Sequence, residues 1–185
     1  MKKLALSLLA IIIPLTLIGS PFNGEDELII RKENLENFQD MVLHYSGDVK
    51  VLYAETPSIT LIGYKNCVDN MEATVSSNTL NLRSKSDTNN CIVEVIIEAP
   101  EVRDVAVHGG GFVDLTNVSS DTMFVSVYDG GVIRILAHDF LYAKIINDGE
   151  ITYVGTPELH TDIVGHGRIN RIDPIEYFHH YKSTL

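Results

Sequence analysis

From Met41 onward, apolar and polar residues alternate in short runs, the period-two pattern of strands with one buried face. Val49-Lys50-Val51, Ile59 to Ile62, Ala73 to Val75, Leu80 to Leu82 and Ile92 to Ile97 are the first such segments. Gly, Asn, Asp and Ser cluster between them, as strand boundaries require. Helical periodicity is scarce, and only the polar stretch Glu33 to Asp40 predicts a helical turn or two. The first half, closed by Pro100, therefore reads as a few irregular strands.

The second half is more regular. Four segments align without gaps around a glycine: VAVHGGGFVDL, FVSVYDGGVIRI, AKIINDGEITY and TDIVGHGRINRI. The anchors are Gly111, Gly131, Gly149 and Gly167. Two positions after each stands Val113, Ile133, Ile151 or Ile169, and four before each stands Val107, Val127, Ile145 or Ile163. Each unit is thus strand, tight turn, strand, repeated at a spacing that marks stacked rungs. Pairing neighbouring units by column sets Asp114 beside Arg134, Lys144 beside Asp162 and Glu150 beside Arg168, opposite signs in every case. Directly opposed charges of opposite sign favour a parallel, in-register stack, and a one-residue slip would turn every aliphatic column outward. The expected fold is all-β, a parallel β-helix or β-solenoid with short rungs whose repeat core spans residues 105–172, preceded by a few irregular strands.

Turn chemistry accounts for the glycines, because a sharp bend between strands calls for the positive φ that Gly, Asn and Asp adopt cheaply. The GGG run at Gly109 to Gly111 is not followed by Lys-Ser/Thr, which argues against a phosphate cradle. Asp129, Asn147 and Asp148 supply oxygen donors in the turn column, and a Ca²⁺ site there is the alternative to plain turn chemistry. His108 and His166 lie three rungs apart, about 14 Å at the spacing of strands, too far to share an ion. No metal and no cofactor is expected.

The N-terminus sets the compartment. Lys2-Lys3 is followed by an apolar stretch from Leu4 to Ile18 and by the small residues Gly19 and Ser20, the layout of a secretory signal peptide over residues 1–20. Retention as an anchor is the alternative, because Pro21 makes a poor cleavage junction. The rest, residues 21–185, is expected to form one solenoid domain with no integral membrane span. The chain carries 14 Lys+Arg against 25 Asp+Glu, a formal charge of −11, which argues against nucleic acid and anionic membranes as partners. Cys67 and Cys91 are the two cysteines. In an exported chain a single disulfide is the leading reading and two buried thiols the other.

These residues resemble a known family. The signal peptide, the early YSGDVKV, the stretch NTLNLRS followed by VEVIIEAPEVRDVAVHGGGFVDL, and the later glycine turns are similar to the putative auto-transporter adhesin head GIN domain family of bacterial exported proteins, a domain of unknown function. The similarity covers residues 28 to 172. It implies a right-handed β-helix-like fold in the periplasm or at the cell surface of a bacterium. The C-terminus offers no stretch long enough for a translocating barrel, so self-secretion is not expected.

No Ser-His-Asp order or nucleophile elbow appears, and neither cysteine has a base nearby in sequence. The catalytic residues expected are none. Alternation places Phe112, Tyr128, Val132, Ile146 and Val164 outward, an apolar set that marks a candidate interaction patch or a face covered by a terminus such as the tail around Tyr177-Phe178. The leading function is a non-enzymatic envelope or surface scaffold binding an unidentified envelope or host protein or glycan, with self-association through the patch. A small polysaccharide-processing enzyme and a structural spacer are the alternatives.

Overall fold

The computed structural model describes residues 27–86, 91–175 and 177. The expected leader over residues 1–20, and Phe178 in the tail, lie outside the described residues. The chain is all-β. It opens with β1 (Leu28–Asn34), β2 (Asp40–His44), β3 (Asp48–Tyr53) and β4 (Ser58–Tyr64). A short helix, α1 (Lys65–Asn70), leads to β5 (Met71–Ser76), β6 (Thr79–Ser84) and β7 (Val93–Ala99). Four strand pairs follow: β8 (Asp104–His108) with β9 (Phe112–Asn117), β10 (Thr122–Tyr128) with β11 (Val132–Ala137), β12 (Phe140–Asn147) with β13 (Glu150–Gly155), and β14 (Glu158–Gly165) with β15 (Arg168–Ile172). From β8 onward consecutive strands alternate between two mixed sheets, neither closed. One has the order β1-β4-β7-β3-β9-β11-β13-β15, the other β14-β12-β10-β8-β2-β6-β5.

The four glycine-anchored units pair in parallel in the register expected from their columns. Val113, Ile133, Ile151 and Ile169 are neighbours across one sheet, and Val107, Val127, Ile145 and Ile163 across the other. Alternation sends these columns inward, where all but the last member of each are buried in the core between the sheets. The apolar area removed from water along them is the main term holding the stack together.

The N-terminal strands are not irregular, contrary to the expectation. β2 and β3 form a fifth unit anchored on Gly47, with Met41 beside Val105, Leu43 beside Val107 and Val49 beside Val113. This unit sits directly on β8 and β9, and β6 and β7 continue the stack beyond it in parallel. Tyr45 ties the two together: its hydroxyl donates to the Val93 carbonyl at 2.6 Å and accepts from the Val93 amide at 2.9 Å. At this end β4, β1 and β5 run antiparallel to their neighbours and stop the repeat.

The helical turn expected between Glu33 and Asp40 is also absent. Glu33 belongs to β1 and Asp40 opens β2, and the residues between are held by distant carbonyls, Leu35 by Pro57 and Gln39 by Asn78. Non-local backbone bonds override a weak local preference. The helix lies instead at Lys65–Asn70, where it buries Cys67 and Val68 against the core and carries a Lys65–Asp69 pair one turn apart. Cys67 is disulfide-bonded to Cys91, just before β7, so the helix is stapled to the core of the eight-stranded sheet.

The structure gives a different cause for the anchor glycines. Gly111, Gly131 and Gly167 do not have positive φ; those values fall on Gly109, Asp129, Gly130, Asn147 and Gly165, and among the anchors of the four aligned units on Gly149 alone. What the anchors share is crowding. A Cβ at Gly111 would stand 2.6 Å from the Tyr45 carbonyl oxygen and 2.8 Å from that of Gly47, and one at Gly131 2.8 Å from that of Gly109. The column is glycine because the neighbouring unit leaves no room for a side chain.

Candidate binding surface

The outer face of the seven-stranded sheet carries rings in columns. Parallel pairing places His44, His108, Tyr128, Ile146 and Val164 side by side. The His44 and His108 rings stack with centroids 4.4 Å apart, and so do His108 and Tyr128. In-register strands repeat at about 4.8 Å, so identical offsets bring flat side chains to stacking distance without adjustment. A second column holds Phe124, Tyr142 and His160, flanked by Phe140, whose ring lies 6.3 Å from Phe124 and 5.1 Å from His160. Phe124 is 42% exposed although large and apolar. Between the two columns runs a polar strip, with Ser126 beside Lys144 and Lys144 beside Asp162.

The electrostatics follow from these placements. Lys144 and Asp162 form an ion pair at 3.0 Å, and the hydrogen bond from Lys144 to Asp162 holds the ammonium above its usual range. Burial, and then the neighbouring His44, push the His108 ring below the ordinary histidine range, so it favours the neutral form. At the edge of the face Asp104 stands opposite Asp40. Its carboxyl is pushed up, first by burial and then by that like charge.

Of the other charged neighbours read from the sequence, Asp114–Arg134 and Glu150–Arg168 are adjacent in register but bond elsewhere. Asp114 accepts from the Thr116 amide and hydroxyl, while Arg134 lies over the Phe112 ring at 5.4 Å. Glu150 accepts from Thr152 and Asn170. A threonine two residues after each acid supplies a local donor that competes with the arginine on the next strand.

The five residues of the candidate patch do not lie on one surface. Tyr128, Ile146 and Val164 form a column of the seven-stranded sheet, and Phe112 and Val132 a column of the eight-stranded one. On the latter the tail folds back: the Tyr177 hydroxyl donates to Thr116 at 2.6 Å. Thr116 and Thr152 face outward by register yet are buried. In the turn column the Asn147 amide donates to the Asp129 carboxylate at 2.8 Å, and both residues have positive φ. The second aromatic column escaped the sequence reading although its signal was present. Phe124, Tyr142 and His160 each precede an anchor glycine by seven positions.

No match is found among curated proteins. Solved structures similar to this chain include one described as a "putative adhesin" from Bacteroides fragilis, 16% identical, covering 80% of this chain and 99% of that one with a TM-score of 0.48. A "putative cell adhesion protein" from Clostridium sporogenes is 12% identical, covering 80% and 100%, with a TM-score of 0.42. A "putative adhesin" from Parabacteroides merdae is also 12% identical, covering 80% and 98%, with a TM-score of 0.41. No helix among the described residues is long and apolar enough to cross a membrane. The family model for "Putative auto-transporter adhesin, head GIN domain" matches residues 37–173, from just before the Gly47-anchored unit to the end of the last strand, and the chain belongs to that family.

Proposed function

We propose that this protein is a non-enzymatic binding scaffold exported to the periplasm or surface of a bacterial cell. Residues 21–185 form a single right-handed parallel β-solenoid, and the aromatic face of its seven-stranded sheet takes a glycan. A right-handed wind is the sense that crossovers between parallel strands favour. The observation that carries the reading is the column of exposed and half-buried rings, Phe124, Tyr142, His160 and Phe140, beside the Lys144–Asp162 strip. Sugar rings offer apolar C–H faces that lie flat on aromatic rings and hydroxyls that reach charged neighbours. A flat, rigid aromatic platform loses little side-chain entropy when it is occupied. A family described as adhesin is one named for attachment rather than turnover.

Affinity electrophoresis through gels loaded with bacterial and host polysaccharides tests the reading. At least one polysaccharide should retard the parent, and the Phe124→Ala/Tyr142→Ala variant should lose at least about tenfold in affinity. Appearance of new reducing ends would identify a polysaccharide-processing enzyme. Retardation by none, with a protein captured through the same face, would replace the glycan by a protein partner. Neither binding nor turnover would leave a structural spacer.

A further inference from the structure

The two ends of the stack differ. At one end antiparallel strands close the repeat, but at the other both sheets stop on parallel edge strands, β14 and β15. The last inward residues are open to solvent there, Leu159 at 37% and Ile163 at 44%. The described part of the tail does not cover this end, because Tyr177 is bonded to Thr116 on β9, three strands back. Edge strands present rows of unpaired backbone groups and are templates for further pairing.

Glu158 and His166 donate their amides inward, to Asp139 and Asn147. Amides alternate along a strand, so those of Leu159, Thr161 and Ile163 face away from the protein. Arg168 donates inward to Gly149, so in β15 the outward amides are those of Ile169 and Arg171. From this geometry we infer that the open end binds the same end of a second copy, through a two-fold axis that crosses β14 at Thr161 and β15 at Asn170.

Self-complementarity selects that register. Antiparallel pairing about Thr161 sets Leu159 against Ile163 of the second copy, two apolar residues on the core side. It sets His160 against Asp162 on the outer side. A shift of the axis to His160 would oppose Glu158 and Asp162, and a shift to Asp162 would oppose two copies of Asp162. Like charges directly opposite are disfavoured. Pairing about Asn170 opposes Ile169 to Arg171 and Arg168 to Ile172, with no like charges facing. Thr161 then meets its copy as a hydrogen-bonded pair and Asn170 as a non-hydrogen-bonded one, as the amide directions demand. Both sheets run on through the interface, and the symmetry closes the assembly at two copies. The inference does not rest on the glycan reading.

Cysteine crosslinking in the full chain reads the register directly, since both native cysteines are already paired. At a non-hydrogen-bonded antiparallel pair the Cα atoms stand about 4.5 Å apart, within the range of about 4.4–6.8 Å that a disulfide spans. Asn170→Cys should convert to a covalent dimer under oxidised glutathione. Arg168→Cys, displaced from its own copy by about 14 Å along the strand, should not. Thr161→Pro and Ile163→Lys should each abolish the Asn170→Cys crosslink. The former leaves inward hydrogen bonds intact and the latter points a charge out of the open end. Leu28→Lys on β1, at the far end, should leave it unchanged. Equal crosslinking of Asn170→Cys and Arg168→Cys, or of neither, overturns the inference. So does a ladder of higher species that Leu28→Lys removes, or a dimer seen only after truncation beyond Tyr177.

Discussion

Gly110 and Gly111 are adjacent and identical in sequence, yet the structure predicts opposite responses to alanine. Nothing lies within 4 Å of a Cβ built at Gly110, and its φ is not positive. Gly110→Ala should therefore stabilise by about 0.4–1 kcal/mol, chiefly by narrowing the unfolded ensemble. At Gly111 the same methyl would stand 2.6 Å and 2.8 Å from two backbone carbonyl oxygens of the Gly47-anchored unit. Ordinary contact begins near 3.4 Å, so the two units would have to part by several tenths of an ångström. The spacing is set by ladder bonds such as Phe112 amide to Gly47 carbonyl, already 3.3 Å, and backbone cannot rotate away as a side chain can. Overpacking of this kind costs about 1–3 kcal/mol, and the rigid backbone puts Gly111→Ala at the upper end. At about 2–4 °C per kcal/mol for a chain of this size, the two variants should melt roughly 7–16 °C apart, on either side of the parent. Chemical denaturation of the three proteins, followed by circular dichroism, measures the difference. A Gly111→Ala variant within 0.5 kcal/mol of the parent would refute the crowding argument, and with it the explanation for the whole glycine column.

Ile151 is fully buried between Ile133 and Ile169, so Ile151→Asp should cost several kcal/mol and leave little of a typical 5–15 kcal/mol margin. By contrast, Ser126→Asp, facing outward beside Lys144, should shift the denaturation midpoint by no more than about 0.5 kcal/mol. Reducing Cys67–Cys91, which spans 24 residues, should cost about 3.5 kcal/mol in the chain-entropy model, read as the difference between denaturation curves with and without reductant. Burial and Asp40 raise the Asp104 carboxyl. The folded state therefore holds that proton more tightly than the unfolded one, and stability falls as pH rises through the folded value. Asp104→Asn should accordingly be more stable than the parent at pH 7, and the gain should vanish once pH falls below the unfolded carboxylate range near about 3.9.

What the sequence made legible was whatever repeats locally. The columns through Val113 and Val107 follow from counting to a glycine, because each of these units stacks on the one just before it in the chain. The Gly47 unit obeys the same count, but its partner unit at Gly111 lies 64 residues away, and no spacing along the chain reveals which of two distant strands it pairs with. All three charge columns were legible as neighbours and Lys144–Asp162 also as a bond, whereas Asp114 has Thr116 closer to hand than Arg134. Thr152 shows the same limit. Alternation gives its direction correctly, but burial on the outer face depends on what else packs there. The Phe124 column is less legible for another reason: the outward offsets beside the turn stand out, but Phe124, Tyr142 and His160 lie seven positions before the glycine, toward the far end of each strand.

The position of β2 and β3 also governs the order in which the molecule can assemble. Both lie in the middle of their sheets, each between partners from later in the chain, β6 and β8 for one and β7 and β9 for the other. As the polypeptide emerges from its N-terminus, these two strands have no parallel partner until residue 79, and they are not enclosed on both sides until residue 117. From β10 onward each strand finds its partner already in place, one unit back, and can add to it like a course of bricks. Contact order therefore predicts that the opening part, built on distant contacts, assembles more slowly than the closing part, which adds locally. Until residue 79 emerges, β1 and β4 can already pair with each other, but β2 and β3 wait for strands still to be made.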